Sequence, residues 1–180
     1  MDRTELIVAQ TRKWIAHVVV GCNFCPFASR ELQRNSIHYQ VETGAGMQAG
    51  KDAFLRECAR LDKDSSIATT LLIFPDAFPS FQEYLQLLSA ANQLLRRKKY
   101  TGIYQVASFH PQYRFADSEA EDPADYTNRS PYPMLHILRE ADVRKAVKFH
   151  PDPEGIPARN VQFAREKGII YMQQLYKDSF

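Results

Sequence analysis

Four side chains in this 180-residue sequence have types and settings that suit chemistry: Cys25 in Gly21-Cys22-Asn23-Phe24-Cys25-Pro26, His110 in Ser108-Phe109-His110-Pro111, and Asn128 and Arg129 in Tyr126-Thr127-Asn128-Arg129-Ser130-Pro131-Tyr132. Proline is favoured at the first helical position, so Pro26 predicts a helix start with Cys25 at its N-terminus. There the positive end of the helix dipole favours the thiolate and lowers the thiol pKa below about 8.5, which makes Cys25 a candidate nucleophile. His110 is the candidate acid or base beside it. Arg129, just ahead of a helix expected to open at Pro133, is suited to hold a carboxylate or phosphate through its planar fork, with Asn128, Asp125 and Ser130 orienting the group. Together they describe a small enzyme, a thiol-dependent transferase or hydrolase, with a Cys/His/Arg pocket for an anionic small molecule.

Two other classes compete. Cys22 and Cys25 have redox-pair spacing, but a long helix precedes them where such a motif follows a strand. As half of a zinc site they need two more ligands, and His110 and His136 are the candidates, although no second Cys-x-x-Cys or His-rich cluster supplies them locally. The third reading is a non-catalytic binding module using the same loops together with Arg96-Arg97-Lys98-Lys99, four cations that also complement a helix C-terminus. Each residue taken alone has an ordinary structural use in capping, turns or core; only convergence at one place favours function.

The elements that must position these side chains follow from periodicity. Ile7, Val8, Trp14, Ile15, Val18 and Val19 mark a helix over residues 4–19 ended by Gly21, and a second runs from Pro26 to Arg34. Ser36–Thr43 alternates as a half-buried strand. Met47, Phe54, Leu55, Cys58 and Leu61 mark a helix to about Asp62, with Cys58 as a core thiol. Ile67–Phe74 is an apolar strand buried on both faces and stopped by Pro75. A helix from Phe81 ends in the four cations. Gly102–Phe109 is a third strand stopped by His110-Pro111. The acidic stretch Asp117–Asp125 reads as a mobile loop. Beyond it the pattern predicts helices: Pro133–Arg139, one capped by Asp142 through Phe149, one capped at Asp152-Pro153 and ending at Gly168, and a turn or two over Ile169–Tyr176. A fourth strand is sought at Gln112–Ala116.

Strands alternating with helices predict a single α/β domain over residues 1–180, with a small, mainly parallel sheet of three to four strands. A ferredoxin-like α+β sandwich is the alternative if the chain reverses at His110-Pro111. In a parallel sheet ligands bind beyond the carboxyl ends of the strands. Chain order then brings Cys25, His110, Asn128 and Arg129 to that rim.

Composition limits the classes. With 23 Lys and Arg against 21 Asp and Glu the net charge is only +2, which argues against a domain living on nucleic-acid phosphates, and 44% hydrophobic residues argue against disorder. At this length folding buries roughly 70% of the surface of the unfolded chain. No apolar run approaches the ~18 residues of a membrane span. Val19-Val20-Gly21-Cys22 resembles a lipoprotein box, but Asp2, Glu5 and His17 spoil the leader that would precede it. Three cysteines leave at least one unpaired, which points to a reducing, cytoplasmic setting.

Four ordered motifs carry a resemblance: Gly21-Cys22-Asn23-Phe24-Cys25-Pro26-Phe27-Ala28, Thr69-Thr70-Leu71-Leu72-Ile73-Phe74-Pro75, Gln105-Val106-Ala107-Ser108-Phe109-His110-Pro111 and Tyr126-Thr127-Asn128-Arg129-Ser130-Pro131-Tyr132-Pro133. From about Thr11 to Gly168 the chain resembles the bacterial family called domain of unknown function 1415. The resemblance implies no activity. It matches Cys25, His110, Asn128, Arg129 and Ser130, and adds Tyr126 and Tyr132 to the expected ligand-binding set. Cys22 falls where the family pattern has leucine, which weakens both the redox pair and the zinc reading.

Overall fold

The computed structural model describes residues 1–180. Helix α1 (Arg3–Trp14) opens on a reciprocal capping box: the Asp2 carboxylate accepts the Glu5 N–H and the Glu5 carboxylate accepts that of Asp2. It continues as a π-helix, Ile15–Val20, to Gly21, where a Cβ would lie 2.1 Å from the His17 carbonyl oxygen. Then come α2 (Ala28–Gln33), β1 (Ile37–Val41), α3 (Gly46–Lys63), β2 (Thr69–Ile73), α4 (Phe81–Arg97), β3 (Tyr104–Phe109), a 3-10 turn (Pro123–Thr127), β4 (Met134–Arg139), α5 (Glu140–Lys148), α6 (Ile156–Lys167) and α7 (Ile169–Asp178).

The four strands form one mixed sheet in the order β1-β2-β4-β3. β1 and β2 are parallel neighbours, and β4 runs antiparallel to both β2 and β3. β1, β2 and β3 therefore share a direction, as strand-helix-strand connections dictate, while β4 enters between β2 and β3 from the opposite end. On one face α3 and α4 pack Phe54, Leu61 and Leu87 against Leu72, Phe74, Leu135 and Ile137. On the other, α1, the π-helix, α6 and α7 bring Trp14, Ile15, Val18, Ala164 and Met172 against Leu71, Ile73 and Met134. β2 is buried at every position, as its unbroken apolar pattern requires.

The sheet is α/β but not mainly parallel, and its strand-helix-strand-helix-strand-strand order is not that of the ferredoxin-like sandwich. The difference comes from residues 133–139, which the proline and apolar content present as a helix. They form β4 instead: Leu135 and Ile137 face α3 and α4 while Met134 faces the other layer, a central strand apolar on both sides that loses the period-two signal. Gln112–Ala116, sought as the fourth strand, forms none: Gln112 and Ala116 lie in turns and residues 113–115 are irregular. Nor does α2 begin at Pro26; it starts at Ala28 and is six residues long. The acidic stretch is held at its far end, with Asp122 gripped by Arg165 at 2.7 and 3.2 Å and the buried Asp125 accepting the Phe115 N–H at 3.0 Å.

α4 closes on a strained residue. The Lys99 N–H bonds the Arg96 carbonyl and the Tyr100 N–H the Leu95 carbonyl, the two bonds of a Schellman closure, with Lys99 at φ 62° in the left-handed position that favours glycine. A lysine there costs about 1 kcal/mol. Lys99→Gly is therefore expected to stabilise the chain by about 1 kcal/mol in urea unfolding, and an unchanged or lowered midpoint would contradict the strain.

Candidate functional site

The expected residues gather at the end of the sheet where β3 finishes and β4 begins, but they divide between its two faces. His110 immediately follows β3 and is fully buried on the α3/α4 side, its ring 5.1 Å from Tyr84 and 5.4 Å from Phe81. Its Nε2–H donates to the Phe78 carbonyl at 3.0 Å and its Nδ1 accepts the Gln112 N–H at 2.9 Å. The second bond fixes the tautomer, since Nδ1 must be unprotonated to accept. Burial lowers the ring's pKa below its ordinary value, against the opposing pull of the Phe78 carbonyl. A neutral histidine with both nitrogens engaged by backbone has neither a lone pair nor a proton for a substrate.

Cys25 packs on the opposite face, within the layer that contains Val18, Phe24 and Tyr126. Burial raises its thiol pKa, outweighing the Phe27 and Ala28 N–H groups that favour the thiolate. Those N–H groups are the weak remnant of the expected helix N-terminus, which a six-residue helix starting three residues later does not supply. The sheet thus stands between thiol and imidazole. Cys22 is buried with its pKa also raised by desolvation, and Cys58 is a core thiol pushed up to about 12. All three cysteines are free.

His136, expected on a helix, lies on β4 and donates Nε2–H to Thr69 Oγ1 at 2.7 Å; Thr69 passes its own proton to the Ile137 carbonyl at 2.6 Å. Desolvation pushes its pKa down to about 4. The four residues considered for zinc are not gathered, and no group of three or more His, Cys, Asp or Glu side chains is placed to hold an ion.

Around Arg129 the expected residues do come together. Asn128 Nδ2 donates to the Ser108 carbonyl at 3.2 Å and the Asn128 carbonyl accepts the His110 N–H at 3.3 Å, which fastens this loop to the end of β3. Ser130 is fully buried and closes its own turn by donating to the Tyr132 carbonyl at 2.6 Å, while Tyr132 donates to Gln10 Oε1 at 2.5 Å. Arg129 itself is different. Its guanidinium lies 4.3 Å over the Tyr126 ring, its Nε–H donates to the Tyr113 carbonyl at 3.2 Å, and Nη2 stands 3.9 Å from Asp125 Oδ2, too far for a hydrogen bond. Nη1 and Nη2 make no hydrogen bond within the chain, and the side chain is 22% exposed. A ring and one carbonyl orient the guanidinium, Nη2 is ion-paired with the buried Asp125 carboxylate, and Nη1 has no partner within the chain.

Three contributors were not legible in the sequence. The Tyr113 carbonyl is main chain and has no residue signature. Tyr176 packs edge-on against Tyr126 at 5.8 Å and donates to the Ser130 carbonyl at 2.9 Å from a helix expected to be only a turn or two. Trp14 donates its indole N–H to the Arg129 carbonyl at 3.0 Å; its status as the one tryptophan was the available signal.

No helix is long and apolar enough to cross a membrane. No curated protein and no solved structure matches the chain. One family model does, over residues 6–174, and its description is a protein of unknown function, DUF1415. That span takes in all four motifs and residues of every element from α1 to α7, so the chain belongs to the DUF1415 family.

Proposed function

We propose that the chain is a recognition domain for a small molecule carrying a carboxylate or phosphate, with Arg129 as the recognising group and Asn128, Tyr126, Ser130 and Tyr132 building the loop that holds it. The observation that carries this reading is a guanidinium fixed on Tyr126 and the Tyr113 carbonyl whose two Nη groups make no hydrogen bond, Nη2 being held only by the longer ion pair to Asp125. This reading gives Cys25 and His110 no chemical role, in keeping with a thiol pKa raised by burial and an imidazole whose two nitrogens both face backbone partners. Three free cysteines support a reducing, cytoplasmic setting as part of the same reading.

Thermal unfolding in rising concentrations of orthophosphate and, separately, of succinate tests it. A ligand at about a hundred times its dissociation constant stabilises by about 2.7 kcal/mol, a rise of several degrees in Tm. Arg129→Lys keeps the charge but loses the fork, and is expected to weaken binding by about tenfold. If neither anion moves Tm, or if the lysine variant binds as the parent does, the recognition role is refuted.

A further inference from the structure

A second surface lies at the opposite end of the sheet, where β4 ends at Arg139, whose guanidinium donates to the Leu61 and Asp64 carbonyls. α3 and α4 finish together there, tied by Tyr100 and Tyr104, whose hydroxyls donate to the two oxygens of Asp62 at 2.6 and 2.7 Å. Lys63, Arg96, Arg97, Lys98 and Lys99 are all exposed at this end. None of them is in an ion pair. The nearby carboxylates Asp62 and Asp64 keep their charge but are turned to the two phenols and to the Ser66 N–H and hydroxyl, and the five cations outnumber them. A helix C-terminus carries about half a negative charge, so one cation satisfies it and four consecutive ones exceed it. Lys99 adds an independent sign, since it keeps a side chain in a left-handed position where glycine relieves the strain.

Arg97 also lines a groove of about 410 Å³ between α3 and α4. Its apolar lining is Met47, Leu55, Ala90 and Leu94, with Lys51 as a second cation. Its single carboxylate, Asp52, accepts from the Gln48 amide at 2.9 Å. A partly apolar groove leading into an excess of positive charge matches a ligand that is apolar along one stripe and acidic beside it. We infer that this face docks an acidic amphipathic helix of a partner protein, its apolar residues in the α3/α4 groove and its carboxylates on Arg96, Arg97, Lys98, Lys99 and Lys63. A single-stranded nucleic acid fits less well: it needs open aromatic faces, and Tyr104 is buried while Tyr100 is half-buried and turned to Asp62.

Fluorescence anisotropy of the full chain tests the inference, with a labelled helical peptide of Leu and Glu, the same peptide with Gln for Glu, and an oligouridylate as probes. The Leu/Glu peptide is expected to bind, and the Leu/Gln peptide about tenfold more weakly. Joint Arg96→Glu and Arg97→Glu abolishes binding of the acidic peptide. Lys99→Gly weakens it in a chain that melts higher than the parent, which separates lost recognition from lost folding. Absent binding of the Leu/Glu peptide, equal binding of the Leu/Gln peptide, tighter binding of the oligouridylate, or affinity unmoved by these variants each overturns the inference.

Discussion

Replacing His110 with alanine is expected to destabilise the chain by about 4 kcal/mol, more than any substitution of an exposed residue at the Arg129 loop. The alanine leaves the buried Phe78 carbonyl and the Gln112 N–H without their side-chain partner and opens a cavity against Phe81 and Tyr84. The Phe78 bond has a particular role. Phe78 sits at φ 58°, a strained value for a residue with a side chain, and is buried in edge contact with Phe74 at 5.3 Å. His110 is the pin that holds this turn between β2 and α4 in place. His110→Gln, which brings an N–H to the position of Nε2, is expected to recover part of the loss. Urea unfolding of the three chains decides: an alanine variant as stable as the parent would return His110 to the pool of residues held for chemistry.

Acidification should destabilise the chain by about 3 kcal/mol through His136 alone. An unfolded histidine takes up a proton near about pH 6.5, whereas folded His136 does so only near about 4. Between those values the unfolded chain holds more protons than the folded one, so stability falls as pH drops through that window and is flat above it. His110, also lowered by burial, acts in the same direction. His136→Gln keeps an N–H for Thr69 Oγ1 and removes the titration. Its urea midpoint at about pH 4.5 should therefore fall much less from the neutral-pH value than the parent's; equal falls would place the acid sensitivity elsewhere.

Each element was legible in the sequence to the extent that its physical signal was unambiguous. β1, β2 and β3 could be read because period-two alternation, or a short apolar run bounded by breakers, is a pattern that helices rarely produce. β4 could not, because Pro133 and a run apolar on both faces imitate a helix start, and only the pairing with Leu71 and Ala107 on either side of His136 resolves it. The mutual direction of β1, β2 and β3 followed from chain order, and with it the placement of His110 and Arg129 at one end. Which face each side chain occupies did not follow, because one residue of phase decides it. Cys25 and His110 consequently shared an expected rim and lie in different layers. Arg129 was legible as a loop arginine, but the Tyr113 carbonyl that orients it belongs to no side chain and leaves no trace in composition.

Trp14 gives the molecule a built-in optical probe. It is the one tryptophan of the chain, almost wholly buried, and its indole N–H ends on the carbonyl of the residue whose guanidinium is proposed to meet the ligand. Excitation selective for indole therefore looks at a single chromophore bonded to the backbone of the anion site. Any ligand that draws the Arg129 backbone even slightly alters the polarity and hydrogen bonding of that ring, so arrival and departure can be timed by stopped-flow emission on the unlabelled protein. A ligand seated instead in the α3/α4 groove, on the other face of the sheet, leaves the same emission unchanged.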